Sequence, residues 1–255
     1  MDIRVFETKE DIGSVGGDLV EQKLQSALRE QGRATLVLAT GTSQFDLLDA
    51  LTARPMEWAS VEVFHLDEYI GLDASHPASF RRYLHERFVD KVGRLAAFHG
   101  IDGSADDPQA ECKRLSKLIS QVAVDVACVG IGENGHLAFN DPPADFQTTD
   151  PFLTVELAPT CRKQQLDEGW FETLDEVPTH AISMSCREIL QAGRIVCLAP
   201  EARKAQPVGQ AVNGPIDPLC PASILQKHAE CYMLLDDASA ALLPEPMQRT
   251  RSLTN

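Results

Sequence analysis

Apolar positions along the chain follow two alternating rhythms. Short apolar runs recur at Ile3–Val5, Thr35–Leu38, Val61–Phe64, Leu95–Phe98, Val124–Val129, His180–Met184, Arg194–Leu198 and Cys231–Leu235, and each predicts a buried strand. Leu153–Leu157 alternates apolar with polar positions and predicts one more. Between strands the spacing changes to that of an amphipathic helix. Val15, Leu19, Val20, Leu24 and Leu28 share one face of a helix from Asp11 to Arg29, which Gly32 stops. Further helices are predicted at Gln44–Leu51, from Pro77 (in the first turn) to Arg87, and at Pro108–Ser120, Cys186–Ala192, Glu201–Val212 and Ala222–Gln226. Pro159 to Trp170 reads as a polar helix or ordered loop. Strands alternating with helices predict an α/β protein, a single three-layer α/β/α domain with a central, largely parallel sheet. The domain is expected over residues 1–243, with 244–255 a peripheral tail.

Composition narrows the partners. A net charge of -15 over 255 residues argues against nucleic acid or an anionic membrane surface, both of which reward clustered Lys and Arg. A local basic pocket for a small anion remains compatible with it. No run approaches transmembrane length, and the start MDIRVFETKED has neither a basic nor an apolar leader region. The seven cysteines form no CxxC pair, and Cys128 and Cys197 fall inside predicted strands. Buried thiols and a cytoplasmic location are therefore expected.

The candidate chemistry lies in loops that follow strands. Val124 to Pro143 reads VDVACVGIGENGHLAFNDPP, a buried strand running into Gly130, Gly132, Glu133, Asn134, Gly135 and His136, then Asp141. The glycine spacing does not fit GxGxxG, and no phosphate-loop lysine follows. After Thr35–Leu38, the run Thr40, Gly41, Thr42 and Ser43 falls on a helix start, either a phosphate or carboxylate seat or a plain cap. After Val61–Phe64 come Asp67 and Glu68, either of which can serve as a general base or as a cap. Arg203 and Lys204 stand in the first turn of a helix, where the helix field disfavours cations unless an anionic ligand offsets it. One sheet edge collects all four loops. The inventory suits acid–base chemistry on a small anionic metabolite. No serine or cysteine nucleophile accompanies a base. His65, Asp67 and His136 lack HxH or HExxH spacing, so neither metal nor cofactor is expected.

FHLDEYIGL (Phe64 to Leu72), HPASF (His76 to Phe80) and GIGENGHLAFNDP (Gly130 to Pro142) resemble the glucosamine-6-phosphate deaminase/isomerase family. The Thr40-Gly41-Thr42 turn and VNGPIDPLCPASILQKH (Val212 to His228) extend the resemblance over most of the chain. The wider superfamily includes 6-phosphogluconolactonases. The resemblance implies a Rossmann-like fold and conversion of an amino-sugar phosphate, glucosamine 6-phosphate or its galacto epimer, to a ketose phosphate and ammonia. By the same resemblance His136 handles the ring oxygen and O1 proton, and Asp67 carries the C2 proton to C1. The phosphate lies against Thr40–Thr42 and Lys204, with Glu68 and Arg162 as further candidate substrate contacts.

Three departures stand out. Asn134 occupies a position that is usually aspartate, with the acid displaced to Glu133, and Asp141 replaces the usual glutamate. Asp167–Phe171 lacks the family's phosphate-binding arginine, leaving Arg162, Lys163 or Arg203 to compensate. The basic residues of the family's activator site have no counterparts near Phe152 to Glu156, so no activation by N-acetylglucosamine 6-phosphate is expected, and a monomer or small homo-oligomer is. Within the superfamily, a lactonase or a non-catalytic sugar-phosphate sensor are the alternatives to a deaminase.

Overall fold

The computed structural model describes residues 1–244; the expectation for the tail therefore lies, Pro244 apart, outside the described residues. Ten strands form: β1 Asp2–Phe6, β2 Ala34–Leu38, β3 Val61–His65, β4 Asp67–Tyr69, β5 Ala97–His99, β6 Val126–Val129, β7 Phe152–Glu156, β8 His180–Met184, β9 Arg194–Leu198 and β10 Cys231–Asp236. Seven of them make one sheet in the order β1-β10-β9-β6-β2-β3-β5, with every pairing parallel. Helices α1 Lys9–Gln31, α2 Phe45–Thr52, α3 Phe80–Leu84, α4 Asp90–Val92, α5 Pro108–Ile119, α6 Pro159–Asp167, α7 Cys186–Ile189 and α8 Ala205–Asn213 connect them. The central strands read as unbroken apolar runs because both faces are covered. In β6, Val126 and Cys128 join the core under α1 and α2, while Ala127 and Val129 join the core under α5, α7 and α8. The three layers follow from this alternation. All seven cysteines are buried and free, and among the described residues no helix is long and apolar enough to cross a membrane.

The central parallel sheet expected from the sequence is present, and a second, antiparallel sheet of β4, β8 and β7 adjoins it. Two of the strands expected from the apolar pattern, β7 and β8, belong to it and not to the centre. Leu66 is the junction: its N–H donates to Leu38 O of the parallel sheet, and its carbonyl accepts from Met184 N of the small one. Asp67 to Tyr69 is consequently strand, not loop. A separate apolar cluster of Tyr69, Phe80, Phe139 and Phe171 packs behind this sheet.

Several helix starts also shift. The helix expected from Pro77 begins at Phe80, where the Ser79 side chain caps Arg82 N–H, and it continues through a π-turn at His85–Val89 into α4. Helices expected from Gln44 and Glu201 each begin with a 3₁₀ turn, Thr42–Gln44 before α2 and Ala202–Lys204 before α8. Ala222–Gln226 lies in a 3₁₀ run, Pro221–Lys227, rather than an α-helix.

Candidate active site

Strand β6 lies at the centre of the sheet between β9 and β2. Parallel α/β sheets bind ligands beyond the carboxyl ends of such strands, and here those ends frame a cleft. Its wall contains Thr40–Ser43, Asp67, Gly130–Gly132, His136, Lys204 and Arg203 from the loops singled out in the sequence. It also contains Phe139, Gln164, Gln165 and Glu168, which sequence reasoning missed. The signal available for the last three was a pair of adjacent glutamines on α6, a polar helix whose Gln164 and Gln165 are nevertheless buried.

The carboxyl ends of β2 and β9 present matching turns on either side of β6. Gly41 (φ 92°, ψ 171°) precedes one 3₁₀ turn and Glu201 (φ 86°, ψ 144°) the other. Glycine adopts this backbone freely, whereas a side chain there costs on the order of 1–3 kcal/mol. Glu201 is held by its N–H donating to Asp236 Oδ2 at 2.9 Å and by ion pairs to Lys9 and Arg203. Residues of both turns, Thr42 and Ser43 on one side and Arg203 and Lys204 on the other, line the cleft.

Adjacent acids at the start of β4 have opposite surroundings. Glu68 accepts from Ser79 Oγ at 2.7 Å and from the N–H groups of Tyr69 (3.0 Å), Phe80 (3.1 Å) and Arg81 (2.8 Å). It anchors the start of α3 and is absent from the cleft wall, which corrects its expected place as a substrate contact. Burial raises its carboxyl above the usual range, and these hydrogen bonds oppose the rise. Glu68→Ala is expected to remove about 2–3 kcal/mol of stability, since it strands buried donors, while leaving the KM of the folded enzyme unchanged; denaturant unfolding beside steady-state kinetics checks both.

Asp67, 6 % exposed, faces the cleft, and among the described residues no donor or cation reaches its carboxylate. Burial, then the neighbouring Glu68 charge, raises its carboxyl well above the usual range, as suits a group that must take a proton.

His65, at the end of β3, is a structural residue. Its Nε2 accepts from Ile101 N–H at 2.8 Å. Burial, with Arg81 nearby, lowers its pKa to about 3. An unfolded histidine takes a proton below about 6.5 that folded His65 refuses. Its contribution is therefore intact above 6.5 and declines as pH falls toward 3, by up to about 1.4 kcal/mol per unit. Unfolding curves at pH 7, 6 and 5 should show this slope reduced in His65→Gln, whose amide oxygen can still accept from Ile101.

Beyond β6 the chain folds tightly around His136. A Cβ on Gly132 would lie 2.2 Å from the His136 ring, so glycine is required there for the ring to seat. His136 Nδ1 is 3.2 Å from Asp141 Oδ1, close enough for charge interaction though poorly aligned as a hydrogen bond. Asp141 also accepts from Asn134 Nδ2 and Ala158 N–H, each at 2.8 Å. Burial alone would raise the Asp141 carboxyl, but His136 and these two donors outweigh it and hold it below the usual value. Asn134 Oδ1 in turn accepts from His136 N–H at 3.1 Å. The amide thus braces the loop and donates to the one carboxylate beside the histidine. Asn140 pins the following turn, donating to Leu137 O and Met184 O at 2.8 Å each.

Glu133 is turned away from this dyad. Its carboxylate meets Arg203 Nη1 at 3.0 Å and its N–H donates to Gln164 Oε1, so it is not brought together with His136 and Asp141. Arg162 is likewise directed elsewhere, donating to the carbonyls of Leu174 (2.6 Å) and Val177 (2.8 Å). Lys163 pairs with Asp167 at the surface. Lys204 lies in the cleft, 4 % exposed, with no ion-pair partner among the described residues. Burial, then the adjacent Arg203 charge, lowers its ammonium pKa. Cys161 lies within 4.8 Å of His136 and Asp141; burial pushes its thiol far up, leaving it protonated.

Fold and cleft together define a class: an α/β protein with a carboxylate, a histidine and a buried lysine around one cleft at the carboxyl edge of a parallel sheet. The chain belongs to the glucosamine-6-phosphate isomerase/6-phosphogluconolactonase family, whose sequence profile matches residues 7–233. It is 34% identical over 248 residues to a glucosamine-6-phosphate deaminase of Exiguobacterium sibiricum, covering 96% of this chain and 94% of that one. A Listeria monocytogenes deaminase is 36% identical over 209 residues, 82% of this chain and 87% of the relative. Among solved structures, a monomeric glucosamine-6-phosphate deaminase superposes with a TM-score of 0.86 at 28% identity, covering 95% of this chain and all (100%) of that one. A 6-phosphogluconolactonase from Shewanella baltica shares the fold, with a TM-score of 0.77 at 18% identity and coverage of 92% and 97%.

Proposed function

We propose that this protein is a sugar-phosphate isomerase that deaminates glucosamine 6-phosphate, giving fructose 6-phosphate and ammonia. The observation that carries the reading is a pair of buried ionisable groups, Asp67 and Lys204, facing one cleft with no ion-pair partner among the described residues. Buried charges are costly unless paired, and one ligand with an acidic C–H at one end and a phosphate at the other would meet both. The named relatives support the same substrate.

In this mechanism the phosphate lies on the Thr40–Ser43 turn beside Lys204. His136, held by Asp141, moves the proton between ring oxygen and O1 as the sugar opens. Asp67 removes the C2 proton and returns it at C1, which converts the aldosamine into a ketimine. Water adds to C2 and ammonia leaves, so sugar, water and amine balance. No cofactor enters. The free thiols support a reducing, cytoplasmic setting, and the likeness to a monomeric deaminase supports a simple assembly.

Ammonia release from glucosamine 6-phosphate, galactosamine 6-phosphate and unphosphorylated glucosamine tests the reading. Turnover of the gluco phosphate above the other two is expected. Absence of ammonia from all three, with 6-phosphogluconolactone hydrolysed, would replace it with the lactonase reading.

A further inference from the structure

We infer that Arg203 supplies the guanidinium of the anion seat and that Glu168, within the 167–171 segment where the resemblance expects an arginine, is the residue that positions it. This rests on the reading of the cleft as a sugar-phosphate site. Residues 167–171 contain no arginine, and Arg162 and Lys163 are committed elsewhere. From the opposite wall, Arg203 reaches across to the end of α6 instead. Its Nη1 meets Glu168 Oε1 at 2.8 Å, and its Nη2 lies 3.3 Å from Thr42 Oγ1 in the seat itself.

Donor accounting supports a ligand on Nη2. A guanidinium has five N–H groups in a fixed plane. Nε donates to Glu201 at 2.7 Å, and Nη1 serves Glu133 and Glu168. Nη2 has only the long contact to Thr42, which leaves one of its two hydrogens without an acceptor among the described residues. That hydrogen belongs to the edge beside the Thr40–Ser43 turn and next to buried Lys204. Glu168 is also held in place, accepting from Gln164 Nε2 at Oε1 (2.9 Å) and from Trp170 Nε1 at Oε2 (3.2 Å). Its charge is spent on fixing the guanidinium. The strained backbone of Glu201 serves the same end, because its carboxylate holds the Nε side of the plane.

The test compares wild type with Arg203→Ala, Arg203→Lys, Glu168→Gln and Glu168→Ala. It measures calorimetric binding of inorganic phosphate and fructose 6-phosphate, steady-state deamination of glucosamine 6-phosphate, and melting temperature. Arg203→Ala is expected to weaken both ligands and raise KM by about 10- to 100-fold, the loss of one charge-assisted hydrogen bond, with kcat nearly unchanged. Arg203→Lys restores part of the binding. Glu168→Gln, which keeps an acceptor, leaves KM near wild type, and Glu168→Ala raises it. Folded Arg203→Ala that binds phosphate as wild type does overturns the inference, as does a melting loss in Glu168→Ala with KM unmoved. If wild type binds phosphate through Arg203 yet releases no ammonia, the deaminase reading fails and the seat stands. If it turns over glucosamine 6-phosphate and the Arg203 variants match it, only the inference fails. Wild type that binds neither phosphate nor fructose 6-phosphate and releases no ammonia overturns both.

Discussion

Asp67→Asn should lower kcat by about 10²- to 10⁴-fold, the usual contribution of a positioned base, and at the same time raise the melting temperature. The second half distinguishes this residue from an ordinary buried acid. An unfolded aspartate loses its proton near 3.8, whereas folded Asp67 keeps it to a much higher pH because burial and Glu68 disfavour its charge. Below about 3.8 both states are protonated and nothing is lost. As pH rises above it, the unfolded state releases a proton that the folded state retains, so stability falls until the raised value is passed. An asparagine does not titrate, and its variant should lose that decline. Melting curves between pH 4 and 8 beside deaminase assays measure the two effects; each kcal/mol recovered is worth about 2–4 °C in a domain of this size.

Lys204→Met should raise KM for the phosphorylated substrate by about 10- to 100-fold, as expected for loss of a charge-assisted contact, and should not lower stability. Lys204 is buried beside Arg203, and its ammonium pKa is depressed. An unfolded lysine binds its proton below about 10.5; the folded one gives it up earlier. Stability is therefore lost as pH falls from 10.5 toward the folded value, and methionine removes that penalty while filling the volume. Kinetics with glucosamine 6-phosphate and unfolding at pH 7 and 9 check the pair of effects. Together Asp67 and Lys204 would mark the cleft as a place where stability yields to function; Glu68, one residue away, should behave in the opposite sense.

Much of this was legible in the chain. Unbroken apolar runs identified the parallel strands, because a strand covered on both faces needs no alternation. The polar clusters following β2, β3, β6 and β9 identified the cleft edge. The second sheet was hidden because β8 carries the same local pattern as a central strand, and the alternation in β7 marks a half-covered strand without telling which sheet it joins; the antiparallel pairings and the hydrogen bonds at Leu66 separate the two sheets. Adjacent acids were equally opaque. Nothing in the pair Asp67–Glu68 tells which side chain meets the start of α3, since successive strand residues simply point to opposite faces. Glu133 and Asn134 present the same problem in a turn closed by Gly135 at φ 86°. Arg203 was visible as a cation in an unfavourable helix field. Its partner Glu168 was not, because a contact across the cleft between residues 168 and 203 leaves no periodic trace.

On the proposed mechanism Asp67 and the His136–Asp141 dyad move protons on a bound amino-sugar phosphate. Proton NMR of glucosamine 6-phosphate incubated with the enzyme in D₂O tests it most directly. Fructose 6-phosphate and ammonium are expected as products, with the substrate's C2 proton recovered at C1 except where Asp67 exchanges with solvent first, and with both products formed at least about 100-fold more slowly by Asp67→Asn. Unchanged glucosamine 6-phosphate, with wild type and Asp67→Asn hydrolysing 6-phosphogluconolactone equally well, would contradict it.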